Sequence, residues 1–140
     1  MELHFPSYSV NERFARSAVA SFLLGLDPLV TEMNDLKTAV SEAVTNAVVH
    51  GYRDTIGIVY ITAKIMEDDT VTVRIRDKGC GIPDIEKAME PLYTTGGEER
   101  AGLGFAVMQS FCDGVRVSSQ PGRGTTVTLT KRFTRKSDGE

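Results

Sequence analysis

The stretch Ser41–Gly51, SEAVTNAVVHG, closes a helical pattern that starts near Leu29. Leu29, Met33, Leu36, Val40, Ala43, Val44 and Ala47 recur at helical spacing and define a buried stripe. The spacing predicts a long helix ending at His50. Asp27-Pro28 would supply its N-cap and first-turn proline, and Gly51 the left-handed residue just past its end. Glu42, Asn46 and His50 stand at steps of four, each one turn or about 6 Å beyond the last. They form a polar stripe beside the apolar arc. Such a stripe on its own is ordinarily a solvated helix flank; three glycine-rich segments downstream change its meaning.

The first of these is RIRDKGCGIPD, residues 74–84. Asp77 ends an alternating strand, and Gly79 and Gly81 let the chain turn sharply and approach a ligand closely. A carboxylate at a strand end can accept a hydrogen bond from an amino group such as that of adenine. The second is PLYTTGGEERAGLGFAVM, residues 91–108, in which Gly96-Gly97 and Gly102-x-Gly104 bracket a polar run. A helix is expected from Leu103 to about Cys112, apolar nearly all round, with a glycine-flanked N-terminus suited to phosphate. The third is Gly122-Arg123-Gly124-Thr125-Thr126, leading into the last strand. Each alone reads as an ordinary turn or surface loop.

Elsewhere, residues 1–6 suit a short strand, and Ser9 with Glu12 forms a capping-box signature for a helix reaching Leu24. Phe14, Ala18, Phe22 and Leu26 are that helix's expected apolar face. Val59-Ile61-Ala63-Ile65 and Val71-Val73-Ile75 alternate as strands around a Glu67–Asp69 turn, and strands 115–119 and 125–133 flank a second turn. The expected fold class is α+β: a two-layer sandwich with a mixed, mostly antiparallel sheet and helices on one face. One domain spans 1–133, with a polar tail at 134–140.

Composition narrows function by exclusion. Sixteen basic and nineteen acidic residues among 140 leave a net charge of −3, which disfavours a nucleic-acid binder working by broad phosphate neutralisation. No apolar run suits a membrane span. Cys80 and Cys112 make no disulfide framework, so a reducing cytoplasm is expected, and the His and Cys residues lack zinc-site spacing. The P-loop, the dinucleotide fingerprint and the HRD and DFG triplets are all absent from the sequence.

In this order, E-x-x-x-N on a helix, D-x-G-x-G, G-x-G and G-T-T resemble the ATP-binding fold shared by gyrase, Hsp90, histidine kinases and MutL. The resemblance spans residues 42–126 and implies ATP or ADP with Mg²⁺ as cofactors. It implies Asn46 as the metal ligand, Asp77 as the adenine reader and Glu42 as the general base. Gly79, Gly81, Gly102 and Gly104 become backbone elements of the site; Thr95 joins the nucleotide-binding set and Thr125 lies near the adenine end. At this length the resemblance implies a stand-alone version, without a transducer or a phospho-accepting hairpin.

SEAVTNAVVHGY, RDKGCGIPDIE, PLYTT and RAGLGFAVM together resemble the bacterial anti-sigma factors that double as serine kinases, most closely the sporulation branch. The general-stress branch is the near neighbour. The short Gly96-Gly97 lid departs from the pattern and bears on lid order rather than on the pocket. The resemblance implies a homodimer with two protein partners: a sigma factor held inactive, and an anti-anti-sigma protein phosphorylated on serine. Neither nucleic acid nor membrane is expected as a direct partner. Arg100, in the expected lid, would neutralise γ-phosphate charge. Arg16 on the first helix is a candidate partner contact, since arginine is enriched at interface hot spots. A non-catalytic nucleotide-gated binding module and a slow ATPase are the competing readings.

Overall fold

The alternating apolar residues of the two central segments do what a period of two requires, lining one face of a sheet with Val59, Ile61, Ala63, Val71, Val73 and Ile75, all buried. The computed structural model describes residues 1–85, 89 and 97–135. Within them β1 (Glu2–Pro6), β2 (Ile58–Ile65), β3 (Thr70–Asp77), β4 (Gly114–Gln120) and β5 (Gly124–Arg132) make a five-stranded sheet ordered β1-β2-β3-β5-β4. All its pairings are antiparallel. The mixed character expected from sequence is therefore absent among the described strands. The cause is visible at the first crossover. α1 (Asn11–Leu23) and α2 (Val30–Asn46) form a helical hairpin that returns the chain to where it left the sheet, so that Pro6 pairs with Ile58.

α1, α2 and α3 (Gly97–Phe111) cover the apolar face of the sheet, leaving the other face open. α2 is the central helix. Its buried residues are Leu36, Ala39, Val40, Ala43 and Val44, close to the expected stripe. α1 packs one residue out of phase with expectation: Ala15, Val19 and Leu23 are buried. Phe14, by contrast, is 56% exposed and lies edge-on over Phe5, ring centroids 6.4 Å apart. The Ser9 capping box does not form. Backbone bonds from Asn11 to Tyr8 and from Glu12 to Ser9 turn the chain into the helix, and no side chain caps it.

Asp27 is not an N-cap either. It adopts φ 49°, closing the short 3₁₀ turn Leu24–Leu26, and extended Leu29 precedes α2. At the far end α2 widens into a π-type turn over Ala47–Gly51, with Tyr52 N–H reaching back to Ala47 O at 3.0 Å. This turn ends the helix without the left-handed glycine expected at Gly51.

α3 begins at Gly97, six positions before the expected start at Leu103. It buries one side, Gly104, Phe105 and Met108, while Leu103 is 51% exposed. A helix seated at the margin of the layer and packed chiefly on α2 needs only one apolar face, whatever its composition. Thr134 and Arg135, within the expected tail, are tied to the body. Thr134 N–H donates to Glu32 Oε2 at 2.8 Å, and Arg135 bonds both carboxylate oxygens of Asp69 at 2.9 and 3.0 Å.

Candidate functional site

The last turns of α2, the end of β3 and the middle of α3 converge. A Cβ on Gly104 of α3 would stand 3.1–3.2 Å from the amide of Asn46 and 3.2 Å from Glu42 Oε2. The helical step of four thus places both side chains together against a single glycine. Asn46 Nδ2 is buried and has no hydrogen-bond partner among the described residues. Leaving such a group unpaired costs about 1–3 kcal/mol, a state suited to a residue that meets its partner in a ligand. Exchange of the amide's O and N would turn an oxygen to the same position. Mg²⁺ prefers oxygen donors and keeps several waters, so one amide oxygen beside a carboxylate fits that ion. Among the described residues no cluster of three or more His, Cys, Asp or Glu could hold a metal.

Asp77, only 5% exposed, sits at the end of β3. Its Oδ1 accepts the Gly79 N–H at 2.9 Å. Burial raises its pKa above the usual carboxylate value, partly offset by bonds from the Gly79 and Thr125 backbone N–H groups. Gly51 holds the carboxylate from behind: a Cβ there would meet its atoms at 2.7–2.8 Å. Gly79 lies so close to the Gly51 carbonyl that any Cβ would strike backbone. Cys80 N–H donates to Gly51 O at 2.9 Å and its Sγ to His50 O at 3.1 Å. The D-x-G-x-G loop is therefore stitched directly onto the π-type turn that ends α2.

Gly81 takes the left-handed φ of 76° that its turn requires. Thr125, 9% exposed, pairs in register with Asp77 and bonds Ser119 Oγ at 2.8 Å. Ser119 also accepts from Ile82 N–H at 2.8 Å, joining the β4–β5 hairpin to the D-x-G-x-G loop. Gly102 lies in the second turn of α3 rather than opening it, and Arg100 stands two residues nearer the helix start. Thr95 lies outside the described residues. Arg16 is half-buried and 3.6 Å from Glu12 of its own helix, so this candidate partner contact already has an intramolecular neighbour. His50 forms the π-type turn and faces the loop through its carbonyl.

Sequence reasoning passed over Ser119, Gly51 as a backstop, and Tyr52. The Tyr52 ring packs against Gly57; its hydroxyl donates to Ile58 O at 2.6 Å and accepts from Lys78 N–H at 2.7 Å. This fixes the residue next to Asp77. The only available signal was a tyrosine directly following the glycine of the helix end.

An α+β sandwich with an Asn/Glu helix flank tied through Gly51 to a strand-end aspartate defines a class of nucleotide-binding proteins. Residues 31–135 match the family described as histidine kinase-, DNA gyrase B-, and HSP90-like ATPase, and the chain belongs to it. More particular relatives lie within that class. The anti-sigma F factor of Thermoanaerobacter sp. (strain X514) is 56% identical over 132 residues, covering 94% of this chain and 92% of the relative. That of Bacillus subtilis (strain 168) is 50% identical over 137 residues, 96% and 93% of the two chains. Among solved structures, the RsbU and RsbW domains of Rv1364c from Mycobacterium tuberculosis share the fold. The TM-score is 0.70 at 24% identity, over 96% of this chain and 33% of that one.

Proposed function

We propose that this chain is an anti-sigma factor of the sporulation type: it holds a sigma factor inactive and phosphorylates a serine of its anti-anti-sigma antagonist with Mg-ATP. The relatives named anti-sigma F factor, alike over nearly the full length of both chains, support the binding role. The observation that carries the kinase role is the meeting of Glu42 and the orphaned Asn46 amide at Gly104. A binding module needs no carboxylate there.

Bound Mg²⁺ would spread phosphate charge across its oxygen shell, the main requirement of a loose phosphoryl-transfer transition state. Asn46 would supply its protein oxygen. Asp77 would accept from the adenine amino group, backed by Gly51 and oriented by Gly79, while Gly81, Gly102 and Thr95 complete the nucleotide-binding set. Glu42, one turn from Asn46, would orient the acceptor hydroxyl and take its proton. Arg100, in the opening turns of α3, would compensate γ-phosphate charge. Arg16 would serve the partner surface once its tie to Glu12 is exchanged.

Tyr8, Val10 and Phe14 are 53%, 73% and 56% exposed, and this apolar group beside β1 supports a homodimer interface. A sigma-factor partner implies a cytoplasmic setting; no helix among the described residues is long and apolar enough to cross a membrane. The deciding experiment incubates the Glu42→Gln variant and labelled ATP with the purified antagonist. ATP affinity should hold while transfer falls about 100-fold or more, the lower range for a general base. Undiminished transfer would refute the assignment. An unlabelled antagonist with the unsubstituted protein would leave a nucleotide-gated binding module, and phosphate release without acceptor a slow ATPase.

A further inference from the structure

The sheet face turned away from the helices carries an uneven charge. β3 presents Arg74 and Arg76 there. The register runs from Arg74 through Thr128 on β5 to Arg116 on β4, and from Arg76 through Thr126 to Ser118. Lys64 on β2 shares the face, opposite Thr72, and Arg123 stands in the β4–β5 turn at its edge. All five cationic side chains are exposed. None makes an ion pair among the described residues, where the salt bridges formed are Arg16–Glu12 and Arg135–Asp69.

On the open faces of β2, β3, β4 and β5 the paired positions carry no carboxylate. Glu2 on β1 is the one acidic residue of this face, and its register partner Thr62 separates it from Arg74. That is two strand spacings, about 10 Å, close to a Debye length at physiological salt.

A chain of net charge −3 therefore concentrates cations on one face. A shallow hollow of about 270 Å³ is lined by Arg74, Arg76, Arg123, Ser118 and Thr126, with Asp77 and Thr125 at its strand-end margin. Arginine forks at these positions can each take a carboxylate bidentately. Arg74 and Arg76 lie about 7 Å apart along the strand, near the rise of about 6 Å between carboxylates four apart on a helix. Two copies packed face to face through a twofold axis would set arginines against arginines, which like-charge repulsion opposes. A long polyanion such as nucleic acid would extend past the strip onto the acidic remainder of the molecule.

We propose that this open sheet face docks an acidic polypeptide segment of a protein partner, gripped by Arg74, Arg76 and Arg116. The gripping arginines are not residues of the proposed nucleotide site, although the hollow borders that site at Asp77 and Thr125.

The test titrates the full chain into a fluorescein-labelled poly-glutamate peptide at low ionic strength and follows anisotropy. Arg74→Glu/Arg76→Glu should weaken binding about tenfold or more, and Arg74→Lys/Arg76→Lys should retain most of it. Arg13→Glu/Arg53→Glu, the same charge change at exposed sites off this face, should retain it as well. Equal loss in both reversed pairs would mean that net charge alone matters and would overturn the proposal. So would tighter binding of a single-stranded oligodeoxynucleotide of equal charge. A change in sedimentation coefficient caused by the Arg74/Arg76 reversal would assign the face to a second copy, again overturning it. Should the glutamate pair fail to fold, Arg74→Gln/Arg76→Gln is read on the same scale, and its unaltered affinity would refute the docking role.

Discussion

Gly104→Ala separates what α3 needs as a helix from what the site needs as a cleft. Gly104 is interior to α3, where alanine is favoured over glycine by about 0.8–1 kcal/mol. The added methyl would meet the Asn46 amide at 3.1–3.2 Å and Glu42 Oε2 at 3.2 Å. These are ends of flexible side chains, which can yield by a few tenths of an ångström at a cost of order 0.5 kcal/mol, an off-rotamer adjustment. The ligand-free protein should thus be about 0.5 kcal/mol more stable, raising the melting temperature by about 1–2 °C. The displaced groups are those assigned to metal and proton transfer. Since about 1 Å of misplacement can cost 100-fold, a shift of a few tenths should slow transfer about 3- to 10-fold. The assay pairs a melting curve without nucleotide with the melting shift at saturating Mg-ATP, which reports affinity, and with a transfer rate. A variant with unchanged affinity and rate would show that the approach of Gly104 to Asn46 and Glu42 is packing alone.

Three further expectations follow from single contacts. For Asp77→Asn, ATP affinity by calorimetry should fall about tenfold or more, as expected for a hydrogen bond to a charged group. Because the folded pKa of Asp77 is raised, its contribution to ligand-free stability is greatest below the unfolded value and is lost as pH rises through the folded one. The asparagine variant should therefore lose melting temperature relative to the unsubstituted protein on titration from neutral into the acid range, and an identical pH slope would refute the burial argument. Tyr52→Phe strips the acceptor from Lys78 N–H and the donor to Ile58 O, and denaturant unfolding should report a loss of about 1–3 kcal/mol. Burial pushes the Cys112 thiol up to about 11 whereas Cys80 is exposed. At mildly alkaline pH a disulfide reagent should titrate one thiol per native chain rapidly and the second only on unfolding.

The legible parts of this molecule were those fixed by local period. The α2 stripe and the alternation of β2 and β3 depend on a burial pattern repeated several times, and tertiary context did not override them. The misread parts were boundaries decided by competition. Ser9-x-x-Glu12 had the composition of a capping box, yet backbone bonds to Tyr8 and Ser9 already turned the chain. Asp27-Pro28 offered a helix start, but the 3₁₀ turn before it required a left-handed residue and Asp27 supplied it. Gly102-x-Gly104 looked like a helix start because glycine is unfavourable inside one; close approach to α2 explains why Gly104 is nonetheless interior. α1 was misphased because Phe14, though apolar, covers Phe5 from outside instead of entering the core.

The motif spacing anticipated which side chains would matter but not what holds them in relation to one another. Glu42 and Asn46 belong to α2 and Asp77 to β3, elements that could slide independently if only apolar packing joined them. The π-type turn removes that freedom. It advances the end of α2 until Gly51 touches the Asp77 carboxylate and its carbonyl receives Cys80 N–H, with no room for a side chain on Gly79 between them. A ligand spanning from Asp77 to Asn46 consequently meets two groups whose separation is set by backbone contacts, and it need not order them on binding. Preorganisation of this kind lowers the entropic cost of association and favours the electrostatic side of phosphoryl transfer.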